Sequence, residues 1–104
     1  MRSLPVIVAA VLATAAGGAV AQGADPNLAR NLAATCSSCH GTNGASIGGI
    51  ESLAGMAKAD IVRKMQDFKT GRRSSSVMQQ LAKGYTDEQI ELIAGWFAAQ
   101  KSPR

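Results

Sequence analysis

Cys36-Ser37-Ser38-Cys39-His40 sets two thiols three positions apart and an imidazole directly after the second. On a helical turn, residues three apart share a face, so both sulfurs can meet one edge of a flat ligand. This is the attachment sequence for c-type haem. The thiols reach the two vinyl groups on one edge of the porphyrin, and His40 reaches the iron from the proximal side. Ser37 and Ser38 are small and leave room for the ring. A pair of cysteines at this spacing also serves as a redox dithiol or as half of a zinc site. Zinc wants four ligands, and the whole chain has two cysteines and one histidine. A thioredoxin-like dithiol wants a βαβ setting, and no alternating strand pattern occurs.

The chain has 104 residues, enough for one small domain. Aromatic residues make up only 4% of it, so a core of Ala, Leu, Ile and Met would be thin. Domains of this size often depend on a disulfide, a metal or a cofactor. A covalently held haem would supply a large apolar plate for the core to form around. The formal net charge is +4. Loss of an N-terminal leader would remove Arg2 and leave ten basic against seven acidic residues. That mild excess, without interleaved aromatics, argues against a nucleic-acid partner.

Residues 1–21 read as a secretory signal peptide. Arg2 is the positive start, Leu4 to Ala16 is an uncharged apolar run, and Ala19-Val20-Ala21 is an A-x-A cleavage site. Cleavage after Ala21 would leave a mature domain of residues 22–104. The competing reading is an uncleaved anchor, but the run is barely long enough to span a bilayer and is rich in Ala and Gly. Export suits the thiol motif, because bacterial c-type haem is attached outside the cytoplasm. The expected location is the periplasm, with no stable membrane insertion after cleavage.

Within the mature part the expected class is all-α, with three to four helices. Asp25-Pro26 reads as an N-cap followed by proline at the first helical position. Leu28 and Leu32 share one face of a first helix that runs into the thiol motif. Gly41, Gly44, Gly48 and Gly49 mark a loop. A second helix is expected from about Lys58 to Thr70, closed by Gly71, with Ile61, Met65 and Phe68 as its apolar stripe. A short third helix is expected from about Ser75 to Lys83, closed by Gly84. The last helix opens with a capping box, Thr86 and Gln89, and a hydrophobic staple, Tyr85 and Ile90. Ile90, Ile93, Ala94 and Phe97 form its buried face, flanked by Trp96.

An electron-transfer haem needs a sixth ligand, and no second histidine exists, so methionine is the natural choice. Met1 lies in the leader. Met65 fits an apolar stripe and reads as core. Met56 follows His40 by only sixteen residues, a short path to the far face of the ring. Met78 follows by thirty-eight, with a full helix between, and stands after a polar serine run rather than in an apolar stripe. Met78 is the favoured distal ligand and Met56 the second choice. A core role for Met78 is the alternative.

CSSCHGTNG, the LAG step at Leu53-Ala54-Gly55, DFKTGRR and the stretch from Met78 through Ile90 resemble the class I c-type cytochromes of the short bacterial kind. They look like the c-four-type members, and most like the cytochrome c subunit of flavocytochrome c sulfide dehydrogenase. The resemblance covers nearly all of the mature chain. It implies one covalent haem c, with thioethers from Cys36 and Cys39, His40 as proximal iron ligand and Met78 as distal iron ligand. It also implies that the first and last helices meet through Leu28 and Leu32 against Ile93, Trp96 and Phe97. Related chains often carry a proline shortly after the motif, whose carbonyl orients the proximal histidine. The loop GASIGGIES has none, so another backbone carbonyl must hold His40. Some relatives carry two haems, whereas this chain has one attachment motif.

The function expected on these grounds is one-electron transfer without substrate chemistry by side chains. The chain would serve as the non-catalytic haem subunit beside a flavoprotein partner, or as a free soluble shuttle. The alternatives of other classes are an exported thiol–disulfide oxidoreductase using Cys36 and Cys39, and a haem sensor or peroxidase in which Met78 leaves the iron open. Lys58, Arg63, Lys64, Lys69, Arg72 and Arg73 concentrate basic charge that could dock an acidic redox partner or, at Arg72 or Arg73, hold a haem propionate.

Overall fold

In this computed structural model, residues 2–7, 9–10 and 25–103 are described. The cleavage site at Ala19-Val20-Ala21 lies outside them. No strand occurs among the described residues, and none of their helices is long and apolar enough to cross a membrane. Among the described residues five α-helices follow in order, α1 (Leu28–Ala34), α2 (Ser37–His40), α3 (Lys58–Lys69), α4 (Met78–Lys83) and α5 (Asp87–Ala98), with one 3-10 turn at Thr42–Gly44.

The chain enters α1 through a side-chain turn. Asp25 Oδ1 accepts from the Asn27 amide at 2.8 Å, and Asn27, not Asp25, is the N-cap. The aspartate side chain thus accepts from the amide two residues on, the bond the Asp-Pro reading expects of a cap, but the α-helix itself begins later, at Leu28. Helical backbone continues through Thr35 and Cys36, whose φ/ψ pairs are −65/−31° and −68/−31°. The Cys36 carbonyl then accepts from the amides of Cys39 at 3.2 Å and His40 at 3.0 Å. The helical spacing expected of the motif is therefore present, as a short second helix rather than as the end of the first.

α3 presents Ile61 and Met65 inward and ends at Thr70 and Gly71, the latter at φ +79°. α4 begins at Met78, three residues after the expected start. Ser75 Oγ accepts from the Met78 amide at 3.2 Å, so this serine serves the helix end from outside it. At α5 both halves of the capping box form: Gln89 N donates to Thr86 Oγ1 at 3.1 Å, and Thr86 N donates to Gln89 Oε1 at 2.9 Å.

The core gathers on α5. Ile90, Ala94 and Phe97 have no exposed surface, and Ile93 has almost none. α1 and α3 both pack against α5, and α3 also packs against α4. Ala33 on α1 is fully buried, like Ala94 on α5. Small residues at such a contact let helix axes approach closely. Leu32 and Trp96 pack on the same core, and Trp96 meets Phe97 edge-on with ring centroids 5.2 Å apart.

Gly44 anchors the long loop. Its carbonyl accepts from Leu53 N at 2.8 Å and Ala54 N at 3.2 Å, and Ser52 Oγ accepts from Ser46 N at 2.9 Å. Gly44 has φ +79°, and a Cβ there would stand 2.7 Å from the Phe97 ring. Only glycine meets both conditions. The pinned loop closes over one side of α3 and brings residues 50–53 toward His40.

Candidate cofactor site

α2, the loop, α3 and α4 enclose a cavity of about 340 Å³. Cys36, Cys39 and His40 stand on its wall together with Met78. Leu53, Ile61, Met65, Phe68 and Ile93 supply apolar surface, and Ile50, Val77 and Leu81 line its more exposed parts. Met56 packs against the core and is not part of the cavity wall. Met65 is 8% exposed, as its place in the α3 stripe predicts, and its side chain also contributes to the wall.

The two cysteines are free thiols. Cys39 is exposed, while Cys36 is half-buried, and burial pushes its thiol above the usual range despite a hydrogen bond from the Thr35 side. His40 Nδ1 lies 2.6 Å from the backbone carbonyl of Glu51. A carbonyl can only accept, so Nδ1 carries the proton and the lone pair resides on Nε2. The carbonyl that replaces the missing proline is thus that of Glu51, in the segment Gly48-Gly49-Ile50-Glu51-Ser52. No side-chain pattern announces a backbone acceptor, which is why the sequence did not single it out.

Two further features escaped the sequence reading. Thr35 Oγ1 and Tyr85 OH share a hydrogen bond of 2.9 Å beside the cavity, linking the approach to Cys36 with the end of α4. Lys64, counted from the sequence among the basic charges that could dock a partner, lines the cavity and pairs with Glu51 Oε1.

The basic segment is largely engaged within the molecule. Lys58 pairs with Glu91 and Arg63 with Asp60. Lys69 Nζ donates to the Tyr85 carbonyl at 2.7 Å and to Asp87 Oδ1 at 3.3 Å. Arg73 lies over the Phe68 ring at 5.3 Å. Neither Arg72 nor Arg73 lines the cavity, whose one lysine or arginine is Lys64.

These residues fit a covalently held haem. Two free thiols at helical spacing, an imidazole whose Nε2 is left for a metal, a thioether and apolar walls are the donors and surroundings such a ring requires.

The family model for cytochrome c matches residues 27–99, which includes every one of these groups. The chain is 47% identical over 66 residues to the cytochrome subunit of sulfide dehydrogenase of Chlorobaculum tepidum, covering 64% of this chain and 60% of that one. It is 36% identical over 91 residues to cytochrome c4 of Pseudomonas aeruginosa, covering 86% of this chain and 42% of that one. With cytochrome c-553 of Helicobacter pylori it shares 31% identity over 72 residues, covering 67% of this chain and 75% of that one. The chain therefore spans about three-fifths or less of the first two relatives.

Proposed function

From the premise that this chain belongs to the cytochrome c family, we propose that it is a periplasmic one-electron carrier and the haem subunit of a sulfide-oxidising flavoprotein complex. Membership makes it an electron-carrying protein with one covalent haem c. The proposed attachment residues are Cys36 and Cys39, with His40 as proximal and Met78 as distal iron ligand. The observation that carries this assignment is the shared cavity wall, which includes Met78 and not Met56.

Bound there, the haem supplies reversible one-electron storage on its iron. The protein's own groups tune it. Glu51 O holds His40 Nδ1–H, which fixes the imidazole plane and raises the basicity of Nε2. The Met78 thioether favours the ferrous state. Leu53, Ile61, Phe68 and Ile93 line the cavity with apolar surface, which would keep water from a haem held there.

Support for the flavoprotein partner comes from the likeness to a protein named as a subunit of sulfide dehydrogenase. Export rests on the leader at residues 1–21, with cleavage after Ala21. A free shuttle is the second reading, favoured by the match to three-quarters of the length of the Helicobacter cytochrome. Purification from the periplasmic fraction of the native host decides between them. A flavin-containing chain that co-elutes at a fixed ratio supports the subunit reading. A single red protein with the mass of residues 22–104 plus one haem supports the shuttle. A colourless product would contradict both.

A further inference from the structure

The carbonyl that orients His40 belongs to a residue whose side chain is itself tied down. Glu51 offers two groups in two directions. Its main-chain oxygen meets His40 Nδ1 at 2.6 Å, and its carboxylate meets Lys64 Nζ at 2.5 Å. Lys64 stands in the middle of α3, one position before Met65, which belongs to the buried core. The lysine is only 25% exposed, so its position is set by the helix and the cavity wall. A proline at position 51 would stiffen the chain through its ring. Here the residues before Glu51 are Gly48, Gly49 and Ile50, the least restrained run of the loop. Ser46, Gly44, Ser52 and Leu53 pin the loop to itself. The Glu51–Lys64 pair is the tie that joins this segment to a long helix.

We propose that Lys64 is a positioning residue for the proximal ligand: by holding the Glu51 carboxylate it fixes the Glu51 carbonyl on His40 Nδ1–H. This inference rests on the assignment of His40 to the iron. The bond from Nδ1–H raises the electron donation of Nε2 and so favours the ferric state. Loosening the tie therefore raises the reduction potential, whichever member of the pair is removed.

That sign separates positioning from plain electrostatics. As a bare charge near the iron, Lys64 favours the ferrous state and Glu51 the ferric. On that view Lys64→Gln lowers the potential and Glu51→Gln raises it. Under the positioning role both substitutions raise it. Both also speed solvent exchange of the His40 Nδ1 proton, by roughly two- to fivefold, the scale of a partly exposed ion pair. Glu51→Gln keeps the carbonyl, so the effect cannot come from losing the acceptor. The double variant Glu51→Lys, Lys64→Glu restores the pair and returns both readings toward the parent.

The test uses the haem-loaded protein, with redox titration and proton NMR of each variant. Potentials that rise together, with faster exchange and recovery in the double variant, are the expected result. Potentials that move in opposite directions with unchanged exchange overturn the proposal, as do unshifted values in both. The His40→Ala protein serves as the separate control. A low-spin spectrum equal to the parent's there would contradict the ligand assignment itself, whereas the outcomes above bear on Lys64 alone.

Discussion

The thiol motif was legible residue by residue because its chemistry resides in side chains. Cys36, Cys39 and His40 announce themselves by type and spacing, and the cavity brings them together. Glu51 was not legible, since what it offers His40 is a main-chain oxygen that any residue carries. Gly44 lies between these cases. A glycine among many in the loop says little in sequence, yet its φ of +79° and the nearby Phe97 ring allow nothing larger. Gly44→Ala is expected to cost roughly 2–4 kcal/mol, from backbone strain plus overpacking against Phe97. Denaturant unfolding of the holoprotein measures it, and a loss below about half a kcal/mol would mean that the loop moves off Phe97 freely.

At the scale of elements, periodicity and capping served well where both were strong. The α5 capping box and its buried face match the reading position by position. The α3 stripe and its glycine stop do as well. The ends of short helices were read less well, because serine and aspartate can satisfy helix amides from outside the helix. Ser75 at α4 and Asp25 at α1 both do so. Lys69 shows the same limit for charges. Its sequence position suggests a solvated face, but packing of α3 beside the start of α5 turns it to the Tyr85 carbonyl and Asp87.

Asp87 gives this joint a pH dependence. A hydrogen bond from Gln66 first, and then Lys69, hold its carboxyl below the ordinary aspartate range. A group with a depressed folded pKa stabilises above its unfolded value of about 4, and that contribution is lost as pH falls through the folded value. Asp87→Asn is therefore expected to lower the thermal midpoint at pH 7. The gap to the parent should close as the pH drops below about 4. A gap that stays constant from pH 7 to pH 3 would show that the carboxylate charge is not what the joint uses.

For the whole molecule, the cavity explains why so few aromatics suffice. The helices bury one small cluster around Phe97, and the space between α2, α3 and α4 is shaped for a cofactor that completes the core. The paired substitution of Cys36→Ser and Cys39→Ser removes covalent attachment, and little folded protein should accumulate. Circular dichroism and thermal melting of whatever is recovered check this. A cooperative melt in a haem-free chain would mean that the helical core is self-sufficient.

His40 and Met78 line one cavity, and the proposal stands on both of them ligating the iron of a haem held there. The ferric absorption spectrum of Met78→Ala, recorded beside that of Met56→Ala, tests it most directly. Loss of the sulfur-to-iron charge-transfer band in the Met78 variant, with the band intact in the Met56 variant, is the predicted result. The band surviving in Met78→Ala and vanishing in Met56→Ala would contradict it.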